Sequence, residues 1–181
     1  MKESMPLLTI LIALEIVAGQ ILYQSEDKLL AIPILLVMIP VINGVGGNIG
    51  SILGARLSSG LHLGSVELKL KAPELKKNIL TTVLLGIVSY TFLTIFILVI
   101  SPILGISMEA NRVNILLKAG LVMMGTGLLL IAIVIGIAVL VARFSYENGF
   151  DPDNTVIPFV TTLCDLLGVL ALMIMIGAVG I

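Results

Sequence analysis

Five stretches of the chain are apolar almost without interruption, and short polar segments separate them. They run approximately Met5–Tyr23, Leu29–Leu53, Ile79–Leu104, Ile115–Ala142 and Val156–Ile181. Each reaches the roughly 20 residues that a helix needs to cross about 30 Å of hydrocarbon. None alternates with the period of two expected of a barrel strand, so the pattern predicts helices. The expected fold is an all-α integral membrane protein, multi-pass in the cell membrane. Its five transmembrane helices form a single domain over residues 1–181. The first run resembles a signal peptide in following one lysine, Lys2, but it contains Glu15 and lacks a small-residue cleavage site, so it is expected to be retained.

Composition agrees: 59% of the residues are hydrophobic, only 12% are charged, and mean hydropathy is +1.22. A lipid bilayer is the implied surrounding. The formal net charge of −1 gives no reason to expect nucleic acid as a partner. Orientation follows from the basic residues. Placing the second connector inside puts Lys2, Arg56, Lys69, Lys71, Lys76, Lys77 and Arg143 in the cytoplasm, with Lys28, Arg112 and Lys118 outside. The N-terminus is then inside and the C-terminus outside. The stretch Ser65–Asn78 reads as a topology-setting basic loop or as an amphipathic surface segment.

Three charged residues fall inside the apolar runs: Glu15, Lys118 and Asp165. Lys118 lies near a span end and can reach the interface. Asp165 cannot, and a carboxylate near mid-membrane costs about 2.5–3.5 kcal/mol on insertion scales. Thr161 and Thr162 lie four and three residues before it and Gly168 three after, so one helix face carries a narrow polar, small-residue stripe. The stripe reads as part of an ion path; the plainer alternative is a buried carboxyl bonded to Thr161 or a neighbouring helix. Glu15 either lines the path or satisfies a polar neighbour. One cysteine, Cys164, and one histidine, His62, exclude Cys-cluster and His-rich transition-metal sites within one chain. Oxygen ligands remain, and they suit hard cations.

The second span contains Pro40-Val41-Ile42-Asn43-Gly44-Val45-Gly46-Gly47-Asn48-Ile49-Gly50. Gly46, Gly50 and Gly54 form overlapping GxxxG pairs, which fit close helix packing. Two asparagines among the glycines also fit a locally broken helix whose carbonyls, with Asn43 and Asn48, line a water-filled path. Before the last span, Asp151-Pro152-Asp153-Asn154 can cap the helix, Asp153 being the expected cap. With Glu147 and Asp151 it can also concentrate cations at a cytoplasmic mouth. Glu26 and Asp27 read as a solvated pair in the first connector, or as an outer vestibule.

These motifs carry a resemblance. Pro40 to Arg56 resembles the second-helix signature of the MgtE-type magnesium transporters: proline, then GxGGNxG and a basic residue. Leu53-Gly54-Ala55-Arg56-Leu57-Ser58-Ser59 is similar to a run in the family's eukaryotic solute-carrier relatives, as is Asp151-Pro152-Asp153-Asn154 followed by Pro158. Phe159-Val160-Thr161-Thr162-Leu163-Cys164-Asp165 resembles the bacterial Phe-Val-Thr-Thr-x-x-Asp motif. The resemblance implies a five-helix unit working as a homodimer with an axial pore, in which the aspartate matching Asp165 binds magnesium. The long cytoplasmic N-terminal region of the bacterial proteins has no counterpart in the sequence, so gating by its regulatory domains does not carry over.

The expectation is therefore transmembrane transport of divalent cations, Mg2+ foremost, by a homodimer. Asp165, Thr161 and Thr162 would hold the ion, Asn43, Gly46, Gly47, Asn48, Gly168 and Glu15 would line the path, and Asp151, Asp153 and Glu147 would flank its mouth. Mg2+ enters as the transported ion, and no organic cofactor or enzymatic activity is expected. The chain carries no ATPase motif. The rival readings are a cation-coupled exporter, a non-transporting scaffold subunit and an intramembrane aspartic protease. The protease lacks its GxGD signature and normally needs two close carboxylates.

Overall fold

The computed structural model describes residues 4–66, 72–103 and 112–181. Six helices follow one another: α1 (Ser4–Gln24), α2 (Glu26–Ala31), α3 (Pro33–His62), α4 (Pro73–Ile103), α5 (Arg112–Glu147) and α6 (Pro152–Val179). All but the six-residue α2 are long and apolar enough to span a bilayer. The protein is thus a multi-pass, all-helical membrane protein, with no strand among the described residues.

The helix limits depart from those expected. α3 continues to His62, nine residues beyond Leu53, and α5 continues to Glu147, five beyond Ala142. Thirty residues of helix measure about 45 Å, so α3 extends past the hydrocarbon into polar surroundings where hydropathy gives no signal. The first connector is itself partly helical: Glu26 and Asp27 form the first turn of α2, where acidic residues suit the helix dipole. Ile32, extended at φ −134° ahead of Pro33, separates α2 from α3. Prolines likewise begin α4 and α6. Because α6 starts at Pro152, Asp153 lies within its first turn and is not its cap; the carbonyl of Asp151 accepts from Asn154 N at 3.1 Å instead. The turn into α6 needs Gly149, at φ +71°, after which Phe150 N bonds back to the Ser145 carbonyl at 2.9 Å.

The expectation of a broken second span is overturned. α3 is continuous from Pro33 through Pro40 and all the glycines to His62. The glycines serve helix contact. A Cβ on Gly46 would meet Leu130 of α5, one on Gly50 would meet Val160 of α6 and Val134 of α5, and one on Gly54 would meet Val156 of α6. α3, α5 and α6 thereby pack mutually as the centre of the bundle, with Leu35, Met38, Ile42, Leu53, Leu57 and Leu130 wholly or almost wholly buried. Without a hydrophobic drive between helices in lipid, such close approach supplies the attraction. α4 packs on α5 and α3, its buried Tyr90 ring fitting over Gly127. α1 stands apart: among the described residues it packs only on α6 and α2.

Candidate ion site between α1, α3 and α6

α1 and α3 both pack on α6 without close backbone contact with each other among the described residues, so the face of α6 between them is the floor of a candidate groove. Asp165 is half-buried on that floor. The preceding turn divides between the walls. Thr161 faces α3, where its side chain lies 3.7 Å from the Cβ position of Gly47. Thr162 faces α1, and its hydroxyl donates to Glu15 Oε1 at 3.4 Å. Asp165 lies one turn on, between the two. The Thr161 hydroxyl donates back to the carbonyls of Ile157 and Pro158 at 3.1 and 3.0 Å. Its oxygen keeps acceptor capacity that a cation or a water molecule can use.

The α3 wall has two edges. Asn43 donates from Nδ2 to the Asp165 backbone carbonyl at 3.1 Å, and its Oδ1 occupies the place a Cβ would take on Gly168. These two expected lining residues therefore face each other across the helix contact. Gly46 is buried against Leu130 and Tyr90, away from the groove. Gly44, Asn48, Ser51 and Ala55 follow the i, i+4, i+7, i+11 spacing of one stripe and lie on the flank opposite α5. Gly44 and Asn48 are exposed, and the Asn48 side chain has no hydrogen bond within the described residues. Glu15 is exposed on the opposite wall. Glu15, Asn48, Thr161 and Asp165 thus bring polar groups together at membrane depth around this face of α6.

The expected mouth residues are placed unevenly. Glu147 pairs with Arg143 one turn earlier at 2.8 Å. Asp151 lies 3.5 Å from His62 and accepts from Asn154 Nδ2 at 2.9 Å, tying the α5–α6 turn to the end of α3. The side chain of Asp153 lies outside the described residues. Sequence reasoning missed the His62–Asp151 contact, the bond from Tyr90 Oη to the Ile42 carbonyl at 2.8 Å, and that from Lys118 Nζ to the Gly180 carbonyl at 2.9 Å.

Chemically, the groove offers carboxyl, hydroxyl and amide oxygens. No three His, Cys, Asp or Glu side chains gather as a metal-holding group among the described residues. One chain thus presents a partial oxygen shell, suited to a cation that keeps water. The MgtE family, described as divalent cation transporters, matches residues 39–175, which contain the α3 glycine run and Asp165. The chain belongs to that family. Its MgtE membership is matched by curated relatives. Solute carrier family 41 member 3 from Rattus norvegicus is 32% identical over 147 residues, covering 73% of this chain and 30% of its own length. Solute carrier family 41 member 2 from Mus musculus is 31% identical over 163 residues, covering 80% of this chain and 26% of its own length. The chain spans less than a third of these relatives.

Proposed function

We propose that the chain transports divalent cations, Mg2+ foremost, through a path formed by two copies, and that Asp165 of each holds the ion. The observation that carries this reading is the placement of Asp165 on α6. Its carboxyl group lies half-buried at membrane depth on the α6 face between α1 and α3, bordered by Glu15, Thr161 and Thr162. The exposed, unbonded Asn48 amide supports it, because an amide facing lipid would be costly whereas one facing water or a second copy is not.

Charge supports the pairing. One carboxylate half-compensates a divalent ion, and two from a symmetric pair match it. Mg2+ gives up water reluctantly, so the ion is held largely hydrated, with the Asp165 carboxylates, Thr161 and Thr162 receiving its waters. Glu15 and Asn48 line the approach, and Gly47 lets α3 come close to the α6 floor. By the distribution of basic residues, the end carrying Asp151 faces the cytoplasm. The five spans act together as one transporter unit over residues 1–181.

Mg2+ entry into proteoliposomes loaded with a Mg2+-sensitive dye tests the reading. Entry down the Mg2+ gradient alone, above protein-free vesicles, is the expected result. Entry only under an imposed Na+ or H+ gradient would favour the coupled exporter. No entry under any gradient, with folded protein recovered from the vesicles, would overturn transport in favour of a scaffold.

A further inference from the structure

Asn43 is the α3 side chain that reaches across to bond α6, and the atom it bonds is the carbonyl of Asp165 itself. In a continuous helix that carbonyl already accepts from the amide four residues on, at Val169. The Asn43 bond is therefore an addition, one that backbone satisfaction does not require. Close packing does not require it either, since a small side chain at residue 43 would bring the helices together as well. Gly168 makes the room: a Cβ there would fall on Asn43 Oδ1 and 3.1 Å from its Cγ. From the far side, Tyr90 Oη donates at 2.8 Å to the carbonyl of Ile42, one residue before Asn43, and braces α3 at this level from α4.

We infer that Asn43 is a positioning residue for Asp165: its amide holds the α6 backbone at the carboxylate's own peptide and so sets the depth and direction at which the carboxyl meets the ion, with Gly168 as the notch that admits it. Asn43 works through Asp165 and does not take the ion itself. The role rests on the reading of Asp165 as the ion-holding group, and α4 enters it through Tyr90 although it takes no part in the groove.

The Asp165–Leu166 peptide is the one place in the chain where leucine follows aspartate. Labelling aspartate carbonyls with carbon-13 and leucine nitrogen with nitrogen-15 therefore isolates the Asp165 carbonyl signal in the reconstituted protein. Asn43→Ala is expected to shift that signal, and Gly168→Ala, which evicts the amide, to shift it the same way. In the dye assay both should raise the half-saturating Mg2+ concentration by about 10–100-fold, the usual loss for a group supporting a metal ligand. The double variant Asn43→Ala with Gly168→Ala separates position from packing. Its new methyl fills the space left by the amide, so thermal stability should return while Mg2+ affinity stays low. Affinity returning together with stability would make Asn43 a packing residue and overturn the inference. So would an unmoved carbonyl signal in Asn43→Ala. Unchanged affinity in Asp165→Asn would instead overturn the ion-site reading and this role with it. That failure is distinguishable, because the Asn43→Ala carbonyl shift would persist.

Discussion

Gly50 sits where three helices meet, and replacing it by alanine is expected to push them apart. A Cβ there would overlap a methyl of Val160 on α6 and come 2.7 Å from a methyl of Val134 on α5. Both valines are almost completely buried, at 1% exposure each, and valine in a helix has one strongly preferred rotamer, so neither methyl can rotate away. The strain must move backbone, and overpacking of that kind costs about 1–3 kcal/mol. Alanine also favours a helix over glycine by roughly 1 kcal/mol, which would mask part of the loss. Gly136→Ala on α5 removes this ambiguity, because nothing lies within 4 Å of its Cβ position and it gains the same propensity. The difference between the two variants therefore isolates packing at about 1–3 kcal/mol, with Gly50→Ala the less stable. Reversible unfolding in mixed detergent micelles reads that difference directly. Adding Val160→Ala removes one offending methyl, so the Gly50→Ala/Val160→Ala pair should be more stable than the sum of its parts by about 0.5 kcal/mol or more. Equal stability of Gly50→Ala and Gly136→Ala would refute the assignment of the α3 glycines to helix contact.

Tyr90→Phe keeps the ring over Gly127 but removes the 2.8 Å bond to the Ile42 carbonyl; the same unfolding assay should show a loss of about 0.6–1.7 kcal/mol, the range for polar contacts inside a membrane bundle. Asn48→Cys should react with a water-soluble thiol reagent in vesicles while native Cys164, at 1% exposure, does not; an inert Asn48→Cys would remove the α3 stripe from the water-filled path. Lys118→Met should leave the fold intact and speed amide exchange confined to the C-terminal end of α6, where Lys118 now holds the carbonyl of Gly180, one residue beyond the helix, at 2.9 Å; unchanged exchange there would make that bond incidental.

Much of the architecture was legible from hydropathy, because in lipid every backbone group must be satisfied within a helix and apolar length alone then marks the spans. The same signal fails where helices leave the membrane, which is why α3 runs on to His62 and why α2 was read as a connector. Two asparagines among dense glycines suggested a break, whereas α3 runs on unbroken with Leu130, Val134, Val156 and Val160 packed at the glycine positions. On α6, helical spacing alone put Thr161, Thr162 and Asp165 on one face; the structure turns Thr161 towards α3 and Thr162 towards α1. What spacing could not supply was the partner of each. Glu15 approaches Thr162 from 147 residues away and Asn43 reaches Asp165 from 122, so both depend on how whole helices stack. Asn43 was singled out for polarity, but nothing local distinguishes an amide that lines a path from one that locks two helices.

The most direct test of Asp165 as the ion-holding group is Mg2+ entry into dye-loaded proteoliposomes containing the parent protein or Asp165→Asn at matched protein amount. Asparagine keeps the shape of the side chain and removes its charge, so the fold should survive. Flux in the parent and its loss in Asp165→Asn is the predicted outcome. Equal flux in the two would place the ion elsewhere and contradict the reading of the groove.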